Sequence, residues 1–361
     1  MTRSIRAALF AGAAMTLGMA FTPVQQAMAQ QSTQAVSSLP PALRAAVQTG
    51  NTPAIQQAIQ TLSAGNAQQA GVLSGAVIRA AEQLLATNPQ AAIAAAAAAV
   101  EVVRNTGVQT SAPQQTEAVV TTAARIFVNP TAIAANSTAA SSLATATLSV
   151  AQASQNATVL ATVATAAVST AERIVQTNPA AAVQLAAQAV QSVSSTSTAQ
   201  AAPSQVSQVA TTAARIIVQP EAARVAPQTV ASVAVNVTQI VSNPAVYQAA
   251  PSAAIQVMAS AYTAVSQPTV QAAAPQATTT VVSTLTAASN NTTLTQSNSS
   301  NPAQINQILA RPATTTTTTP QATQTAQQPQ ATTQQQTTPT TPTAPTNQPV
   351  EETPILTGSP T

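Results

Sequence analysis

The chain contains no cysteine, histidine, tryptophan, lysine or aspartate, and each absence closes off a kind of chemistry. Without imidazole or thiol there is no His/Cys set for structural zinc and no histidine general base. Without cysteine or lysine, two of the common covalent nucleophiles are gone. No disulfide can hold the fold, and no lipid-bearing cysteine can anchor it to a bacterial membrane. Aromatic residues make up 1% of the chain and charged residues 5%, so the core must be built without large rings and the surface without a dense ionic coat. Glycine is also scarce. The eight glycines lie at or before Gly107 except for Gly358, and none forms a G-x-G-x-x-G or Walker phosphate loop.

The sequence pI of about 10.6 resembles a nucleic-acid signal, but it arises from ten arginines with almost nothing else to titrate. Two of them, Arg3 and Arg6, belong to a leader. Their removal leaves eight arginines against seven glutamates. That balance offers no basic footprint for DNA or RNA, which needs clustered positive charge.

What remains is alanine, with valine, threonine, serine and glutamine, arranged around a tandem duplication. The stretch at residues 80–130 returns 90 residues later without a gap: Thr87-Asn88-Pro89 as Thr177-Asn178-Pro179, Ala112-Pro113 as Ala202-Pro203, and the hexapeptide at 121–126 as that at 211–216. Alanine richness alone does not reproduce matched prolines and arginines, so the chain reads as a repeat protein.

In chain order, residues 1–29 read as a secretory signal peptide. Arg3 and Arg6 form its positive end, 7–21 its apolar run, and Ala27-Met28-Ala29 a small-x-small cleavage site. That run is shorter than the ~20 residues a spanning helix needs, so no integral membrane span is expected in the mature chain. Residues 30–65 form a polar lead-in followed by short helices, one opened by Pro40-Pro41 and stopped by Gly50. A second is capped by Thr52 ahead of Pro53, carries Ile55, Ile59 and Leu62 at helical spacing, and ends at Gly65.

Residues 66–268 form the repeat region. Asn88-Pro89, Asn129-Pro130, Asn178-Pro179 and Asn243-Pro244, with Gln219-Pro220 and Gln267-Pro268 as variants, each stop one helix and start the next. Asparagine can accept from first-turn N–H groups, and proline loses nothing at the first helical position. The proline steps of 41, 49, 41, 24 and 24 residues fit two helices with a loop for the larger steps and one helix with a turn for the smaller. A 90-residue unit then holds four helices.

Large apolar residues step by three and four. Ile93, Val100 and Val103 match Val183, Val190 and Val193; Val206, Val209, Ala213 and Ile216 form one stripe, as do Val230, Val233, Val237 and Ile240, and Ile255, Met258, Tyr262 and Val265. This is helical periodicity drawn as a narrow seam, and it prevails over the β propensity of the Val/Thr-rich residues 145–170. Alanine beside the seam lets helix axes approach closely. Residues 269–311 read as a polar linker with one short helix carrying Ile305, Ile308 and Leu309. Residues 312–361, rich in Thr, Gln and Pro, read as a disordered tail.

The fold class expected is therefore all-α: tandem antiparallel helical repeats in an α-solenoid-like array or elongated bundle. Glu101 with Arg104, and Glu221 with Arg224, have the spacing of surface ion pairs. Glu82 and Glu172 recur at equivalent positions, as do Arg125 and Arg215, the arginines lying where a cation favours a helix C-terminus. Their repetition points to structure rather than to a catalytic carboxylate pair. No catalytic, cofactor-binding or metal residue is assigned. The expected function is that of a non-enzymatic exported protein of a bacterial envelope or extracellular matrix, working by helix-face association with itself or with another envelope component. The alternative is an amphipathic coat adsorbed to lipid or a hydrophobic polymer, which the narrow stripes and the lack of Lys, Trp and Phe flanks disfavour. Ice binding would need flat threonine rows at an eleven-residue step, which are not evident.

Overall fold

The computed structural model describes residues 39–311. The expected leader at 1–29, most of the expected polar lead-in and the expected disordered tail at 312–361 lie outside them. Among the described residues there are twenty helices and no strand. The first half of the array comprises α1 (Pro41–Thr49), α2 (Thr52–Ser63), α3 (Ala67–Leu84), α4 (Pro89–Val103), α5 (Thr106–Ser111), α6 (Pro113–Phe127), α7 (Pro130–Ala135), α8 (Ser137–Ala153), α9 (Ala157–Ile174) and α10 (Pro179–Ser192). The second half comprises α11 (Thr196–Ala201), α12 (Pro203–Ile217), α13 (Pro220–Val225), α14 (Pro227–Val241), α15 (Pro244–Ala249), α16 (Pro251–Val265), α17 (Pro268–Ala273), α18 (Pro275–Ser289), α19 (Thr292–Ser297) and α20 (Asn301–Leu309).

The punctuation acts as its chemistry requires. Asn88, Asn129, Asn178 and Asn243 each accept a first-turn backbone N–H through Oδ1, at 3.1, 2.9, 3.2 and 3.0 Å. Gln219 and Gln267 stand at the same junctions without a side-chain cap bond, because the extra methylene carries the amide past the N–H groups. The cap of α2 is Asn51 rather than Thr52, with Oδ1 accepting from Ala54 N at 3.0 Å. Gly50 closes α1 in the left-handed region at φ 66. A Cβ there would lie 2.8 Å from Ala91 Cα, so this glycine serves both the turn and a close helix approach.

A second punctuation is absent from the sequence reading. The residue before proline is pushed out of helical geometry, and Ala112, Ala202, Ala226, Ala250 and Ala274 have φ between −136 and −156 ahead of Pro113, Pro203, Pro227, Pro251 and Pro275. Two breaks therefore occur in each 24-residue step, and the step contains a fifteen-residue helix plus a six-residue one, where one helix and a turn were expected. The 90-residue unit has the four long helices expected, α3, α4, α6 and α8, together with the short helices α5 and α7.

The long helices alternate between two rows. Row A runs α3, α6, α9, α12, α16, α20; row B runs α2, α4, α8, α10, α14, α18. Each helix touches its neighbours along its own row and its chain neighbours across the gap. The short helices form the edges: α11, α15 and α19 stack on one side, and α13 with α17 on the other. Side chains record a constant register along α3, α6, α9 and α12 of row A and between α8 and α10 of row B. Arg125 bonds Glu82, Thr170 bonds the Phe127 carbonyl, Gln205 bonds Thr162, Arg215 bonds Glu172 and Thr145 bonds Gln188, all at a separation of 43 residues.

Contact on three or four sides explains why the narrow seam was too narrow. The seam valines are buried as expected, but so are their alanine flanks: α4 buries Ala91, Ala92, Ala95, Ala96, Ala98 and Ala99 beside Ile93, Val100 and Val103. A helix with neighbours on all but one face needs small residues on all but one face. Leu62 is 36% exposed, and Ile255 and Tyr262 are half-buried, the core face of α16 being Ala254, Val257, Met258, Ala261 and Val265. The array also continues through the stretch read as a polar linker. Residues 275–289 and 292–297 are helical and bury Val281, Leu285 and Leu294. Threonine-rich helices form there because each needs only a few apolar residues to dock on a row already built. The short helix expected around Ile305, Ile308 and Leu309 is α20, with Ile305 and Ile308 buried.

Candidate interaction face

The charges come first, because they are few enough to follow one by one. Arg125 Nε lies 2.8 Å from Glu82 Oε1 and its Nη2 donates to Oε2 at 3.1 Å. In the second copy Arg215 Nε lies 3.0 Å from Glu172 Oε1, with Nη2 again donating to Oε2 at 3.1 Å. Both arginines do occupy the last turn of their helices. Their main partner, however, is a glutamate on the neighbouring helix of row A, and the hydrogen bond to Glu82 raises the Arg125 pKa further. Sequence reasoning noted the equivalence of each residue type but missed the pairing. The signal was there: glutamate followed 43 residues later by arginine, twice, 90 residues apart. Glu101–Arg104 at 3.5 Å and Glu221–Arg224 at 2.7 Å are the i, i+3 pairs expected. Glu117 accepts from Asn156 Nδ2 at 2.9 Å, across from α6 to the start of α9.

The carboxylates of the described residues are thus tied to neighbouring side chains, and none of these contacts joins two carboxylates. Among the described residues no group of three or more His, Cys, Asp or Glu could hold a metal ion.

Apart from these pairs and exposed arginines such as Arg79 and Arg173, the outward surface is mostly threonine, serine, glutamine and alanine. Large exposed apolar residues among those described are Leu62, Val72 and Val225, at 36–49% exposure, and they are scattered. A depression in this surface is a groove of about 820 Å³ over α4 in row B. Its floor is Ala94, Ala97, Ile93 and Leu143; its rims are Thr49, Thr52 and Gln56 from the α1–α2 side and Asn136, Ser142 and Ala146 from the α8 side. Thr52 Oγ1 donates to the Ala94 carbonyl at 3.2 Å and holds the near rim to the floor.

The two repeats differ in sequence at this groove. Ninety residues on, Ala94 becomes Gln184 and Ala98 becomes Gln188, and Gln188 Oε1 accepts from Thr145 at 2.9 Å. The second copy therefore carries a longer side chain where Ala94 lines the groove, and a bond across the row from Gln188. No helix among the described residues is long and apolar enough to cross a membrane. Comparison with models of known protein families and with curated proteins finds no match to this chain.

Proposed function

We propose that the protein is an exported, non-enzymatic structural or interaction protein of a bacterial envelope or matrix, acting through the outward faces of its helical rows. The observation that carries this reading is the disposition of charge. The ion pairs tie residues of the array to one another, while the faces left to solvent carry mainly hydroxyl and amide groups with isolated charges such as Arg79 and Arg173, and are broken by a groove over α4. Such a face suits an uncharged partner surface, met over many weak contacts along a regular array. A coat on lipid or a hydrophobic polymer would need an apolar face, and the apolar stripes of these helices are turned into the gap between rows.

Light scattering on the mature protein across a hundredfold range of concentration separates the two ways of working. A constant monomer mass supports binding of another envelope component; growth with concentration supports self-assembly. Replacement of Ala94 by glutamine, copying Gln184 of the second repeat, is expected to weaken either association without loss of helicity. The reading fails if the intact protein binds neither itself nor isolated envelope material, or if it adsorbs to neutral lipid vesicles with a gain in helicity.

A further inference from the structure

The C-terminal end of the array departs from its own repeat in a way that lower stability alone does not require. Prolines recur at 203, 227, 251 and 275, each behind an alanine; 24 residues further on, the pair is Asn298-Ser299 and the next long helix, α20, starts late, at Asn301. Asn301 is fully buried, which an asparagine side chain tolerates only when satisfied on both sides. Its Oδ1 accepts from Tyr247 Oη at 2.9 Å and its Nδ2 donates to the Ala288 carbonyl at 3.0 Å. Asn298 Nδ2 donates to the same Tyr247 Oη at 3.3 Å. Tyr247 is the bulkiest fully buried side chain among the described residues and sits on α15, the edge helix on which α19 stacks. At the same place on α11 and α19 stand Ala199 and Thr295, and on the six-residue α5 Gln109. The phenol and the two asparagines therefore occur only where they meet.

We infer that α19 and α20 are a dedicated terminal cap, latched through Tyr247, that closes the row A end of the array against a second copy of this chain. Leu294, Ile305 and Ile308 cover α15, α16 and α18, while Asn306, Gln307 and Arg311 face outward. A repeat array whose last helix buries its apolar side and presents a polar one has no open end to extend. Undocking α20 uncovers an apolar strip of α16 and α18 that a helix of another copy can occupy. The inference concerns the end of the array and stands apart from the use proposed for its outward faces.

The test uses the full mature chain. Tyr247→Phe keeps the ring and removes the hydroxyl; hydrogen exchange across residues 292–309 is expected to rise about tenfold while exchange in α3 to α12 is unchanged. The double substitution Ile305→Asp with Ile308→Asp is expected to release α20 and to raise the apparent mass above that of the wild type at equal concentration. Unchanged exchange in Tyr247→Phe overturns the latch. Release of α20 in the double variant, seen by exchange, with a mass equal to the wild type overturns the closure.

Discussion

At the scale of single residues, the capping asparagines are the devices whose removal has the most predictable cost. Asn88→Ala or Asn178→Ala leaves first-turn N–H groups without their acceptor, and each is expected to lower stability by about 1 kcal/mol in denaturant titration. The converse is available at Gln219, which occupies a cap position without making the bond. Gln219→Asn is expected to stabilise, by some tenths of a kcal/mol. The Glu82–Arg125 pair is bidentate but well exposed, with side chains 38% and 58% accessible, so a double-mutant cycle should return about 0.2–1 kcal/mol and shrink in salt. Tyr247 behaves differently. Burial raises its pKa above the ordinary tyrosine value of 10.0, with the Asn298 hydrogen bond acting the other way. A raised pKa in the fold means the neutral phenol is the bound form. Its contribution is complete below about pH 10 and is lost as the pH climbs through the raised value. Absorbance at 295 nm should show Tyr247 ionising above the ordinary tyrosine value, coincident with loss of protection in α20. Ionisation of Tyr247 at the ordinary tyrosine value in folded protein, read in a Tyr262→Phe background, would contradict this.

Elements show what alanine does that the sequence pattern could not display. Helix existence, the Asn-Pro junctions and the duplication were legible because each rests on local chemistry: capping, the missing proline N–H, and identity at matched positions. The width of each buried face was not, because an alanine reads the same whether it lies in a gap or faces water; Ala96 is buried and Ala94 lines a groove within one helix. The six-residue helices were illegible for a related reason. An Ala-Pro pair such as Ala226-Pro227 breaks the helix by restricting the residue before proline, a weaker mark than a capping asparagine, and it stood unnoticed between two stronger ones. The groove could have been found from the duplication by asking where the copies differ in size, at Ala94 against Gln184. Buried alanines give a sharp test of axis spacing. Ala96→Leu in α4 adds three carbons where the side chain is fully enclosed, and overpacking of that kind is expected to cost about 1–3 kcal/mol. The same substitution at the exposed Ala118 should change the melting temperature little.

For the whole molecule, the two rows settle where the neighbours come from. A helix lined with alanine and valine gains little from any one contact, and isolated hairpins of this composition should not hold. Here each interior long helix finds its partners within the same chain, before and after it in its row and across the gap. Helicity and melting temperature of the mature protein are therefore expected to be independent of concentration. The energy of such an array is close to a sum of nearest-neighbour terms, so the same lesion should have different consequences by position. Leu43 in α1 and Leu185 in α10 are both buried, and truncating either to alanine should cost about 2–5 kcal/mol where it acts. In Leu43→Ala the loss falls on a terminal element, which can fray alone, so hydrogen exchange should rise in α1 and α2 while the main thermal transition holds its place. In Leu185→Ala the damaged helix lies between α8 and α14 in its row and against α9 and α12 across the gap. It cannot open without breaking the array in two, and the main transition should fall or split. Equal shifts of the main transition in both variants would mean that the array melts as a single cooperative body rather than as a stack of neighbours.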